Sequence, residues 1–136
     1  LYTAYNLWYR KITGTNNDRT ALDFIKRQTA LWHEYLDGKV MGELSLYMQM
    51  IVEYTQREPL KTISSSWSGS VDNPHDWRSL IEFWYQVRCL VVHGEDIDSQ
   101  YVHLAYCSLN VFMRELISGT LHKSAGINKP VSARRV

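Results

Sequence analysis

The segment YQVRCLVVHGED, residues 85 to 96, places Arg88 and His93 five positions apart, with Cys89 beside the arginine and Gly94 directly after the histidine. These residue types could do acid–base work on an anion. An imidazole, with an unperturbed pKa near ~6.5, serves as general base or general acid at cellular pH. A guanidinium grips two oxygens of one anionic group at once. On a regular helix, at ~100° per residue, five steps turn the two side chains about 140° apart, so they do not share a face. They can converge in one chain if the helix unwinds before Gly94, which tolerates left-handed backbone angles. They can also converge if two copies meet at this end, because a two-fold axis brings the same segment of both chains together. A purely structural account stands beside these. In it Arg88 pairs with Glu95 or Asp96, and His93 caps the helix C-terminus, where the dipole favours a cation. Arg88 falls at the edge of an apolar stripe, where a charge is unfavourable unless paired, and that position suits an interface or a cleft.

Other residues could carry chemistry. His103 and Cys107 stand four apart, a spacing that can chelate zinc, and His93 with Glu95 could complete such a site. Pairs at this spacing arise often by chance, and a structural histidine beside the apolar stripe is the simpler reading. The stretch SSSWSGS has neither the lysine pattern of a P-loop nor a Gly-x-Ser-x-Gly elbow. It reads as a loop whose Trp67 could stack on a base. His33, His75 and His122 have no evident partners.

The elements that must position these groups read as helices. The three prolines, Pro59, Pro74 and Pro130, each fall where a helical pattern stops. Leu1, Tyr5, Trp8 and Ile12 share one face over residues 1 to 12, and Asn6 and Tyr9 of that helix are placed to face the cleft. After the loop GTNND, with Asp18 or Thr20 as cap, Leu22, Ile25, Thr29, Trp32 and Leu36 repeat over 20 to 37, and Gly38 offers a stop. Leu44, Tyr47, Met48, Ile51 and Tyr54 repeat over 40 to 57. The long loop REPLKTISSSWSGSVDN follows. Asn73 is the candidate N-cap of the next helix, with Pro74 at its first position. Trp77, Leu80, Ile81, Trp84, Val87 and Val91 form that helix's stripe. A last helix over 98 to 118 presents Tyr101, Leu104, Ala105, Ser108, Phe112 and Leu116, with Gly119 as its stop. LKTIS is the nearest approach to a strand. The expected fold is all-α: an up-and-down bundle of four longer helices plus a short N-terminal one, over residues 1 to 119.

Composition bounds the rest. A chain of 136 residues fits one domain that buries roughly two-thirds of its unfolded surface. Hydrophobic residues make up 45%, with five Trp and nine Tyr, which excludes a disordered chain. No apolar run reaches the length of a membrane span, and the opening LYTAYNLWYRK does not have the order of a signal peptide. Without an initiator Met, the chain reads as a trimmed or internal piece of a longer product. Two cysteines make no disulfide framework, so a reduced, cytoplasmic setting is expected. The net charge is +1, but the four basic residues of 116 to 136 (Lys123, Lys129, Arg134, Arg135) leave the first 115 residues at 11 basic against 14 acidic. The segment 120 to 136 reads as a flexible basic tail, which can attract phosphates.

An arginine, four intervening residues, then His-Gly at the end of the penultimate long helix of a small bundle resembles the signature of the HEPN domain family. The resemblance is carried by Tyr85, Val87, Arg88, Cys89, His93 and Gly94, and by the opening AYNLWYR, and it covers residues 1 to about 118. Many members have Asn where this chain has Cys89. Toxin members paired with nucleotidyltransferases have a Tyr where this chain has Glu95, so that subgroup is not supported. The resemblance implies a dimeric ribonuclease that uses neither metal nor cofactor, with Arg88 and His93 as catalytic residues and Tyr85, Cys89, Glu95 and Asn6 as accessory or RNA-binding residues. The chemistry fits. Attack of the RNA's own 2′-hydroxyl needs a base for that proton and an acid for the departing 5′-oxygen, and a guanidinium can hold the negative charge that gathers on phosphorus oxygens. The resemblance also implies a role in toxin–antitoxin or anti-phage systems, with a neutralising partner protein. A different class of function stays open: a non-catalytic dimeric module of the same fold that binds a nucleotide, RNA or a partner protein.

Overall fold

The computed structural model describes residues 2–29, 43–61 and 66–117. They form five helices and, among the described residues, no strand: α1 (Tyr2–Thr13), α2 (Asp18–Lys26), α3 (Glu43–Arg57), α4 (Trp77–Val92) and α5 (Ser99–Ile117). The all-α class and a helical bundle are as expected, but the shortest described helix is α2, of nine residues, rather than the N-terminal α1, of twelve. No helix among the described residues is long and apolar enough to cross a membrane. The expected basic tail, the Leu36 and Trp32 positions and the Gly38 and Gly119 stops lie outside the described residues, and so does His33.

Aromatic side chains hold the bundle together. Trp84 of α4 is fully buried and meets Tyr5 of α1 edge-on at 5.6 Å and Phe112 of α5 at 5.3 Å. Trp8 of α1 packs edge-on against Phe112 at 5.4 Å, so three helices share one aromatic cluster. The Trp84 indole donates to the buried Ser108 hydroxyl at 2.9 Å, which removes the penalty of an unpaired N–H in the core. α2 packs on α1 and α4, while α5 packs between α3 and α4.

Several boundaries differ from the sequence reading, each for a local reason. Asn17, not Asp18 or Thr20, caps α2, its side chain accepting from the Thr20 amide at 2.9 Å. The helix expected over 20 to 37 ends at Lys26, where the Trp77 indole of α4 donates to the Lys26 carbonyl at 2.9 Å. A carbonyl left over at a helix end is satisfied by a tertiary partner, a signal that periodicity does not contain. Thr29 is accordingly exposed rather than inward. α4 begins at Trp77, capped by Asp76, whose side chain accepts from the Ser79 amide at 3.2 Å. Asn73 instead closes a turn, accepting from the His75 amide at 2.8 Å. Val91, expected on the buried stripe, is 47% exposed, because the core beneath α4 ends at Leu90.

Candidate functional site

α4 runs regularly to Val92 and ends in a paired cap. His93 is the C-cap, and Gly94 follows in the left-handed region at φ 70°. The Glu95 amide donates to the Leu90 carbonyl at 2.9 Å and the Gly94 amide to the Val91 carbonyl at 3.1 Å, the two bonds of a Schellman motif. The glycine is used because an L side chain at this angle is strained. The helix therefore does not unwind before Gly94, and the five-residue separation of Arg88 and His93 is kept within one chain.

His93 is exposed, and its Nδ1 lies 2.8 Å from the Cys89 carbonyl one turn back. A carbonyl only accepts, so Nδ1 carries the proton, and in the neutral ring Nε2 keeps its lone pair free to take another. This is the capping position foreseen for His93, achieved through the ring as well as through the backbone.

Arg88 is half-buried and does not pair with Glu95 or Asp96; both acids are exposed on the loop beyond the cap. Its partner is Asn6 of α1, buried at 9% exposure. With the amide oxygen turned to the guanidinium, Oδ1 accepts from Arg88 Nε and Nη2, each at 3.0 Å, and Nδ2 donates to the Tyr9 hydroxyl at 2.8 Å. Surroundings decide that orientation, since it gives both halves of the amide a complementary partner. The Tyr9 hydroxyl then faces Asp18. Burial, followed by the charge and hydrogen bonding of Asp18, pushes the Tyr9 pKa well above its ordinary value, opposed by Arg88. Asp18 is in turn gripped by Arg10, with Nε at 2.9 Å and Nη2 at 2.8 Å. A polar chain thus runs from Arg10 through Asp18, Tyr9 and Asn6 to Arg88, and it holds the guanidinium by neutral groups that do not cancel its charge.

Tyr85 and Cys89 stand one turn apart beside Arg88, both half-buried. The Tyr85 pKa is pushed up to about 12, first by burial and then by the charge and hydrogen bonding of Cys89. Tyr85 therefore stays protonated near neutral pH. The Arg19 guanidinium lies over its ring at 5.5 Å. Glu95 contributes its backbone amide to the cap while its side chain is exposed.

Sequence reading missed the hub below this cluster. Glu82 is 2% exposed and accepts from Arg19 at 2.7 and 2.8 Å, from Lys26 at 2.6 Å and from Gln86 at 2.7 Å. Burial opposes its ionisation, but these donors outweigh burial and hold its pKa down to about 2. One clue was present in the sequence: a carboxylate inside the apolar run of α4 must find partners. Their identity, 56 and 63 residues away, was not legible.

The alternative metal site does not assemble. The Cys107 sulfur lies 3.8 Å from both His103 ring nitrogens, but no group of three His, Cys, Asp or Glu able to hold a metal forms among the described residues. His93 and Glu95 are thus not gathered to that pair. No protein-family model matches this chain, and no curated protein or solved structure matches it significantly.

Proposed function

We propose that this chain is a metal-independent endoribonuclease of the HEPN type, cleaving RNA by 2′-hydroxyl attack at a site that two copies form around Arg88 and His93. The observation that carries the reading is the bracing of Arg88 by the neutral Asn6 amide. Two of its five N–H groups are spent on positioning, which leaves others for phosphate oxygens, and among the described residues no carboxylate in direct contact compensates its charge. His93 supplies the complementary function, because its Nδ1–H is tied to the Cys89 carbonyl and its Nε2 is left to accept the 2′-hydroxyl proton.

One chain offers one such imidazole, yet in-line displacement needs a base on one side of phosphorus and an acid on the other. A second copy supplies the second imidazole. The regular end of α4 favours this arrangement, since the arginine and histidine of a single chain stay on different sides of the helix. Leu7, next to Asn6, is 63% exposed, and Val91 and Val92 are 47% and 66% exposed. These apolar groups flank the site and offer a surface for self-association. A toxin or anti-phage role, with a protein that neutralises the activity, belongs to the same reading.

The deciding experiment incubates purified protein with mixed RNA in EDTA, beside His93→Ala. Products ending in 2′,3′-cyclic phosphate from the parent alone are expected. Strict dependence on Mg²⁺, or equal cleavage by His93→Ala, overturns the proposal.

A further inference from the structure

A second basic feature lies nearly three turns down α4 from Arg88. Between α2, the N-terminal turn of α4 and the loop at Trp67 there is a cleft of about 490 Å³, lined by Arg19, Lys26, Trp67, Arg78, Ser79 and Glu82 among others. Trp77 organises two of its cations. Its indole N–H holds the Lys26 carbonyl at 2.9 Å, and the Arg78 guanidinium lies over its ring at 4.6 Å. Trp67 is set in the wall by its own N–H, which donates to the Ser79 hydroxyl at 3.2 Å.

Among the described residues, charge in the cleft does not balance: Arg19, Lys26 and Arg78 face two carboxylates, Asp23 and Glu82. Glu82 is saturated by Arg19 and Lys26, and Asp23 lies 3.7 Å from Arg19, so the guanidinium of the exposed Arg78 is the excess charge. It is held in place by an aromatic face, which orients it without neutralising it.

Position along the helix links this cleft to the candidate site. Arg78, Glu82, Tyr85 and Cys89 follow at helical spacing on one side of α4, and Arg78 lies ~15 Å along the axis from Arg88. A strand of RNA gripped at Arg88 can cover that distance with a few nucleotides.

We infer that the cleft between α2 and the start of α4 holds a backbone phosphate of single-stranded RNA, gripped by Arg78, and so aligns the strand whose phosphate a few nucleotides away meets Arg88. This rests on the ribonuclease reading for its substrate. The cleft's excess charge stands independently of that reading.

The test is binding of a 2′-O-methyl oligonucleotide, which lacks the attacking hydroxyl and stays intact, measured over a salt series for the parent, Arg78→Ala, Arg78→Lys and Arg57→Ala. Arg57 is an exposed arginine over Tyr54 at 5.6 Å and serves as the charge-matched control outside the cleft. Arg78→Ala is expected to bind about tenfold more weakly at low salt, with a salt slope shallower by about 0.7, the signature of one lost single-strand phosphate contact. Arg78→Lys is expected to keep the slope, and Arg57→Ala to match the parent. Unchanged binding by Arg78→Ala, an equal loss in Arg57→Ala, or no binding by the parent overturns the inference. Cleavage of ordinary RNA by the same proteins separates the two ideas. Arg78-dependent binding without cleavage sinks the nuclease and keeps the phosphate cleft, whereas cleavage that ignores Arg78 does the reverse.

Discussion

Asn6 of the first helix and Arg88 of the fourth are joined by two hydrogen bonds of 3.0 Å that converge on one amide oxygen. Aiming a guanidinium with a neutral acceptor keeps its full charge available to an anion, which a carboxylate in the same place would spend. Replacing Asn6 therefore separates positioning from charge. Asn6→Ala should lose about 1–2 kcal/mol of stability and slow RNA cleavage by about 10- to 100-fold through misplacement of Arg88. Asn6→Asp should keep the fold and the position of Arg88 yet also slow cleavage, because the added carboxylate repels phosphate. Denaturant unfolding beside single-turnover cleavage checks both; an Asn6→Asp protein as active as the parent would contradict the role given to Arg88.

His93 is exposed and, among the described residues, hydrogen-bonds only at its own helix end, so removing it should spare the fold. His93→Ala is expected to lower cleavage by about 10²- to 10⁴-fold, the range for a lost general acid or base, while the melting temperature moves little. Gly94→Ala acts differently. A Cβ there meets nothing within 4 Å, so its penalty is the left-handed φ of 70° alone. The expected cost is about 1–2 kcal/mol, and Gly94→Asn should recover part of it.

Glu82 predicts an acid limb. Its folded pKa, about 2, lies below the ordinary 4.5, so between those values the unfolded chain binds more protons and stability rises with pH. The contribution, about 3 kcal/mol, is fully present above pH ~4.5 and fades as pH falls toward the folded pKa. Glu82→Gln leaves Lys26 without its counter-charge and Arg19 with only Asp23 at 3.7 Å, and should cost about 3–5 kcal/mol at neutral pH. The gap between parent and variant should narrow on acidification from pH 5 to pH 3. A gap that stays constant in urea titrations across that range would show that the carboxylate is not the titrating group.

Val92 is 66% exposed beside the candidate site. Val92→Glu should change stability by less than about 0.5 kcal/mol, as surface substitutions do. It should also shift the protein from dimer to monomer in sedimentation experiments, with cleavage lost in parallel. A parent that sediments as a monomer and still cleaves RNA would rule out a site shared between copies.

Gly69 tests the loop that closes on Leu60. Gly69 lies at φ 90°, its carbonyl accepts from the Leu60 amide at 2.9 Å, and a Cβ would fall 2.3 Å from the Leu60 carbonyl oxygen, a backbone atom that cannot swing away. Gly69→Ala should therefore be destabilising by more than the ~1 kcal/mol of an ordinary glycine replacement, read as a fall in denaturation midpoint.

Much of the scaffold was legible because burial writes itself into spacing. The apolar stripes of α3 and α5, the Trp84 face of α4 and the glycine stop after His93 all follow from side chains that must leave water on one side of a helix and from a backbone angle that only glycine adopts easily. The loop reading of SSSWSGS fits the described part of that segment, although it hid Trp67's place in a cleft wall. Helix ends were less legible. Asn17 and Asp76 displaced the caps expected at Asp18 or Thr20 and at Asn73, since several neighbouring polar residues can all cap and packing chooses among them.

What the sequence alone determined is local: an all-helical chain, one helix carrying Arg88 and ending at His93 and Gly94, and a polar Asn6 on the first helix. Tertiary structure decided the pairings across distance. It chose Asn6 over Glu95 as the partner of Arg88, set Trp77 against the Lys26 carbonyl to end α2, and gathered Arg19 and Lys26 on Glu82. Hydrogen bonds and ion pairs between helices depend on which faces meet and at what depth, and helical periodicity records only that a face is buried.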